Sequence, residues 1–100
     1  MIQVEWTSRA FLILETLPQV IAFEIIRRVD LLPKFPEMGA KIESRFAALK
    51  NYRQIIVKRN YRAIYEYDEF ENRIYILAVQ HCRQQLPLAR DLKRQQAEEE

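Results

Sequence analysis

The only histidine in the chain, His81, is followed two residues later by Arg83, and an upstream stretch carries Lys58, Arg59, Tyr61 and Arg62. These residue types suit cleavage of an RNA phosphodiester by its own 2′-hydroxyl. That reaction needs a base for the hydroxyl, donors for the charge developing on the phosphate oxygens, and an acid for the leaving oxygen. Imidazole titrates near neutrality, so His81 can serve as base or acid. A guanidinium at Arg62 can grip a phosphate with two prongs, and Arg83 can add charge stabilisation. Lys58 and Arg59 can track a phosphate backbone, while Tyr61 can stack on a base or pack in the core. No cofactor is called for, and the single cysteine, Cys82, forms no Cys/His set that would hold a metal.

For these side chains to meet, the chain must turn back on itself twice. Tyr52 to Lys58, Tyr61 to Tyr67 and Arg73 to Gln80 are rich in β-branched and aromatic residues and read as three strands. Arg59-Asn60 reads as a two-residue turn with Asn60 taking a positive φ, which pairs Lys58 with Tyr61 and Val57 with Arg62. With a second turn centred near Phe70, Arg62 falls opposite Ala78 or Val79. His81 and Arg83 then emerge at the same end of the sheet as Lys58, Arg59 and Arg62, and Arg53 lies nearer the other end.

Ahead of this meander, Ile2, Val4 and Trp6 alternate with polar residues as in a half-buried strand. Thr7 or Ser8 can cap a short helix, about Arg9 to Glu15. Pro18 suits the first position of a second helix running to about Leu31. Val20, Ile21, Phe23, Ile25, Ile26 and Val29 make this helix apolar over much of its surface. Gly39, the only glycine, is expected at a positive φ. Residues 41–50 read ambiguously between a helical turn and an irregular segment. The fold class expected is α+β: a β-α-α-β-β-β order, with a four-stranded, mainly antiparallel sheet and a helical hairpin packed on one face. Residues 1–87 form the domain, and 88–100 a C-terminal helix or frayed tail.

The chain has 100 residues, 49% of them hydrophobic and 30% charged, a balance that supports one folded core. Net charge is only +2, but from Lys41 to Arg62 seven basic residues stand against one acid, Glu43. Glu66, Asp68, Glu69 and Glu71 follow. A locally basic surface on a near-neutral protein points to one anion-binding face. The most apolar stretch, Leu17 to Ile26, is too short and too polar to span a bilayer. One cysteine and an N-terminus without a leader pattern fit the cytoplasm.

Three segments together resemble the RelE/ParE toxins of bacterial type II toxin–antitoxin systems. The first is the N-terminal strand with its helical hairpin. The second runs from Tyr52-Arg53-Gln54-Ile55-Ile56-Val57 through Tyr61-Arg62-Ala63-Ile64-Tyr65. It is similar to the family's central hairpin, in which two Tyr-Arg pairs head the strands. The third, Ile74-Tyr75-Ile76-Leu77-Ala78-Val79-Gln80-His81-Cys82-Arg83, resembles the last strand, ending in a valine followed by His-x-Arg. The resemblance covers residues 1 to about 87.

It implies a growth-inhibiting toxin bound by a cognate antitoxin in a hetero-oligomer. It also implies one of two targets: the ribosome with its messenger RNA, which RelE-like members cut, or DNA gyrase, which ParE-like members inhibit. Fold alone does not choose between them. The titratable base in the basic cluster favours cleavage. The departures from the RelE pattern, Ile55 where a lysine is expected and Cys82 near where an arginine is expected, favour a binding role. Arg62 also has a structural alternative, an ion pair with Glu66 on the same strand face. The catalytic set expected is Arg62, His81 and Arg83, with Arg53, Lys58, Arg59 and Tyr61 as target-binding residues.

Overall fold

A computed structural model describes residues 1–42 and 52–87. The expectations for residues 43–50 and for the tail 88–100 fall outside these residues. The elements are β1 (Gln3–Trp6), α1 (Ser8–Thr16), α2 (Gln19–Val29), β2 (Ala40–Lys41), β3 (Tyr52–Val57), β4 (Tyr61–Asp68) and β5 (Arg73–His81). The expected α+β class and element order hold, with one addition. The two-residue β2 pairs antiparallel with β3, so the sheet has five strands in the order β1-β5-β4-β3-β2. β1 lies at an edge, parallel to β5. No helix among the described residues is long and apolar enough to cross a membrane.

Local chemistry sets the helix limits. The Thr7 hydroxyl accepts the Ala10 N–H at 3.2 Å and satisfies one free donor of the first turn of α1. Pro18 lies just outside α2, and its carbonyl accepts the Ala22 N–H at 3.0 Å. The hairpin packs Ala10, Leu14, Ile25 and Val29 onto one face of the sheet, against Ile55, Val57, Ala63, Tyr65, Ile74, Ile76 and Val79. The opposite face carries a second cluster of Ile42, Tyr52, Ile64, Tyr75 and Leu77. Consecutive buried residues in β4 and β5 follow from this: a sheet apolar on both faces does not alternate with polar positions.

The β3–β4 turn differs from the expected one. Val57 pairs with Tyr61 and Ile56 with Arg62, leaving Lys58, Arg59 and Asn60 as the connection. Positive φ falls on Lys58 (51°) and Arg59 (66°), not on Asn60. The reason is burial. A one-residue slip would turn Ile55 and Val57 away from the helices, and the apolar pattern forbids it.

β5 holds a second departure from regularity. Tyr65 pairs with Ile76 but Ile64 pairs with Ala78, so Leu77 is an extra residue in a β-bulge. Leu77 and Ala78 therefore share the face away from the helices, and Val79 returns to the helical side.

Gly39 is not at a positive φ. Close approach requires it instead. A Cβ there would stand 2.6 Å from Tyr65 Cε1 and 2.8 Å from the Gln54 carbonyl oxygen. The Tyr65 hydroxyl accepts the Gly39 N–H at 2.9 Å and donates to the Pro36 carbonyl at 2.8 Å. Arg53 completes the anchor, donating to the Gly39 carbonyl at 2.8 Å and the Glu37 carbonyl at 3.2 Å.

Gly39→Ala should therefore destabilise the fold by about 1–3 kcal/mol in denaturant titrations, because backbone and a buried ring must move; an unchanged midpoint would contradict the packing. Burial raises the Tyr65 phenol above its ordinary value of 10.0, outweighing the Gly39 N–H and the nearby Arg53 charge. Burial, aided by Glu66, raises Tyr52 likewise. Both folded-state values lie above the unfolded one, so the stability from keeping the phenols neutral is complete below pH 10.0 and is lost as pH rises through the raised values. Circular dichroism across an alkaline titration should show unfolding setting in above that pH, and less steeply in Tyr65→Phe.

Candidate basic functional site

The end of the sheet where β3 turns into β4 and β5 terminates is the basic end. Lys58 and Arg59 project from the turn and are exposed, as is Arg83 beyond the end of β5. The turn and the end of β5 are tied together by the backbone, since the Cys82 N–H donates to the Asn60 carbonyl at 2.7 Å. Lys58 and Arg59 hold left-handed conformations that cost side-chain-bearing residues roughly 1–3 kcal/mol each. The strain places two neighbouring cations at the tip.

His81 and Arg62 reach this end but not the same face. Arg62 pairs with Gln80, whereas His81 pairs with Tyr61. Directly paired residues share a face and adjacent ones alternate, so the imidazole lies on the helical side and the guanidinium on the other. The His81 and Tyr61 rings meet edge to face, with centroids 5.1 Å apart. The imidazole Nδ1 accepts the Arg83 N–H at 3.1 Å, and the His81 N–H donates to Gln84 Oε1 at 2.9 Å. These bonds fold the Cys82–Gln84 segment back beside the histidine and set the course of the chain at Arg83.

Arg62 is engaged within the protein. It donates to Gln54 Oε1 at 3.2 Å, to the Cys82 carbonyl at 2.8 Å and to the Gln84 carbonyl at 3.2 Å. Its Nε is buried and has no partner among the described residues. The guanidinium thus ties β3 to the segment after β5 rather than presenting a free fork to solvent. Arg53 stands at the far end of β3, paired with Tyr65 and Lys41, and holds the 37–39 loop. It is not part of the basic end.

The expected residues therefore separate into three groups. Lys58, Arg59 and Arg83 form an exposed cationic rim. His81 and Tyr61 form a contacting pair on the helical side, and Arg62 and Arg53 act as anchors. Gln54 and Gln84, which hold Arg62 and His81, were missed from the sequence. A glutamine carries no signal of its own without the register. Among the described residues no group of three or more His, Cys, Asp or Glu side chains is placed to hold a metal ion. A cavity of about 390 Å³ opens nearby along β5, lined in part by Arg9, Gln80, Gln84 and Pro87, and the buried Gln80 Oε1 has no partner among the described residues.

The fold is shared with toxins of known structure. The isolated Escherichia coli RelE toxin superposes with a TM-score of 0.69 at 13% identity, covering 94% of this chain and 98% of that one. A chain of the intact Escherichia coli RelBE toxin–antitoxin complex gives 0.69 at 12% identity, with 84% and 100% covered. The RelBE2 toxin–antitoxin complex from Mycobacterium tuberculosis gives 0.65 at 23% identity, with 80% and 96% covered. A comparison with curated protein sequences finds no match. Residues 4–86 match the family described as the ParE toxin of the type II toxin–antitoxin system parDE. The strand–helical hairpin–meander order, its superposition on RelE toxins and this match along most of the chain lead to one assignment: the protein belongs to the RelE/ParE family of type II toxins.

Proposed function

We propose that this toxin arrests growth by binding its target through the cationic rim of Lys58, Arg59 and Arg83, without RNA cleavage by an Arg62–His81 pair. The observation that carries this reading is the division of labour at the basic end. A general acid–base mechanism needs imidazole and phosphate-gripping guanidinium to converge on one scissile group within hydrogen-bond reach. Here the two point to opposite faces of the sheet, and the guanidinium is engaged by Gln54 and two backbone carbonyls. The exposed rim retains what electrostatic capture of an anionic or acidic target requires. DNA gyrase, the target of ParE-like members, is the partner this reading favours. A cognate antitoxin silences the toxin by laying carboxylates over the same rim, which makes the complex sensitive to salt.

Messenger RNA cleavage on the ribosome is the second reading. What supports it is that His81 remains beside cationic Arg83, with its Nδ1 serving as an acceptor. In that reading a target that pulls the 82–84 segment away would free Arg62 for phosphate.

The two readings separate at His81. His81→Asn keeps an acceptor for the Arg83 N–H and removes the titratable ring. Under the binding reading it should retain growth inhibition within a few-fold, and induced cells should show altered DNA topology with intact messages. Loss of a general acid or base would instead lower cleavage by about 100- to 10,000-fold. Inactivity of His81→Asn, together with cut messages in cells carrying the parent toxin, would overturn the binding proposal. The triple variant Lys58→Ala/Arg59→Ala/Arg83→Ala should lose toxicity while circular dichroism remains native. Arg62→Ala should lower stability by about 1–3 kcal/mol, because the partly buried bonds to the Cys82 carbonyl and Gln54 Oε1 lose their donor; thermal melts would show this.

A further inference from the structure

β5 is covered by β1 over only part of its length. The parallel register ends with Trp6 opposite Ile76, and the Thr7 N–H donates to the Ile76 carbonyl at 3.1 Å before the chain turns into α1. From Leu77 to Gln80 no described strand lies beside β5 on that side. The edge closes again at His81, whose N–H donates to Gln84 Oε1 at 2.9 Å and whose carbonyl accepts the Gln84 N–H at 3.0 Å. A strand residue turns its N–H and carbonyl to the same side, and alternate residues repeat the direction. Both groups of His81 are turned away from β4, so Val79 turns its own toward the open edge as well. Unpaired strand backbone of this kind is a template for another chain.

A cavity of about 390 Å³ runs along this gap, with Arg9, Ala10 and Ile13 of α1 on one side and residues 77–80 on the other. Leu77 and Ala78 lie on one face of the sheet and Val79 on the other, so a cavity that touches all three follows the edge and not a face. Three features state the chemistry of an occupant. The edge itself takes extended main chain. Gln80 Oε1 is buried and accepts no bond among the described residues, so it calls for an N–H donor. Phosphate oxygens are acceptors and cannot serve it. Arg9 is exposed in the first turn of α1, which holds no acid, so its charge adds to the positive end of the helix and calls for a carboxylate. The groove also continues into the cationic rim, because Gln84 lines it and Arg83 is the neighbouring residue.

We propose that the open edge of β5 receives an extended, acidic segment of the target protein, which adds a short strand along Leu77 to Gln80 with a carboxylate on Arg9. This rests on the reading that the toxin acts by binding DNA gyrase through the cationic rim, and it makes the occupant of the neighbouring groove a polypeptide. Four residues at strand rise span about 13 Å, room for one short stretch of ladder. Main-chain bonds then supply affinity, and Arg9 together with the rim selects for acids.

Hydrogen exchange of the full chain, resolved at the Val79 amide, tests this with and without purified gyrase. Gyrase at saturation should slow exchange of that amide by at least about tenfold. Arg9→Glu should weaken gyrase binding by at least about tenfold with an unchanged melting curve, since the side chain is exposed. Arg9→Lys should stay within a few-fold of the parent. Gyrase that binds but leaves either Val79 exchange or the affinity of Arg9→Glu unchanged would overturn the groove assignment and leave the rim as the contact. Gyrase that does not bind at all would overturn both readings. A Val79 amide already slow in the toxin alone would also overturn the proposal, because the chain would then cover its own edge. Slowing that grows with toxin concentration would give the edge to a second copy, and an RNA oligonucleotide that slows the amide as gyrase does would give it to nucleic acid.

Discussion

One extra residue in β5 governs how the basic end of the sheet is built. In a regular strand, Ile74, Ile76, Ala78 and Gln80 would face the helices, and His81 would stand on the same side as Arg62. The bulge at Leu77 reverses this from Val79 onward. It lets Leu77 and Ala78 join the cluster of Tyr52, Ile64 and Tyr75 on one face while Val79 completes the core beneath the helices. The apolar gain on both faces sets the geometry, and the separation of imidazole from guanidinium is its consequence. A one-residue irregularity thus decides which side chains share a face at the basic end.

With Arg62 removed from the exposed set, its role becomes architectural. Its three bonds join β3 to the Cys82–Gln84 segment, and His81 holds that segment from the other side through Arg83 and Gln84. The cationic rim therefore rests on a braced platform. The anchor at the opposite end is of the same kind: Arg53 and Tyr65 seize the backbone at residues 36–39. In each case a long polar side chain leaves the sheet to satisfy carbonyls of an irregular segment, which costs less than leaving those carbonyls unpaired.

Charge is distributed along the strands. Lys58 and Arg59 lie ahead of β4, and Asp68, Glu69 and Glu71 lie at or beyond its other end, a separation of roughly 25 Å at strand rise. The acids at that end stand beside Lys41, Arg53 and Arg73, whereas the turn cations Lys58 and Arg59 are exposed.

Much of the fold was legible in the residues themselves, because it depends on local patterns. Alternation in Ile2-Gln3-Val4-Glu5-Trp6, the cap at Thr7, the break at Pro18 and the β-branched runs after Tyr52 each state their own conformation. The exposed cations Lys58, Arg59 and Arg83 were likewise visible, since turn and strand-end positions leave charged side chains in water. Register was not visible: the three-residue turn, the bulge at Leu77 and the face of His81 depend on which apolar residues the two faces of the sheet can bury together. The same holds for Gly39, whose small size answers to a tyrosine ring 26 residues away and not to its own φ. By itself the sequence determined the two helices, four of the five strands, their order and the family resemblance, because propensity and periodicity act over neighbouring residues. The tertiary structure alone placed Arg62 and His81 on opposite faces, because that rests on long-range packing shifting one strand by a single residue.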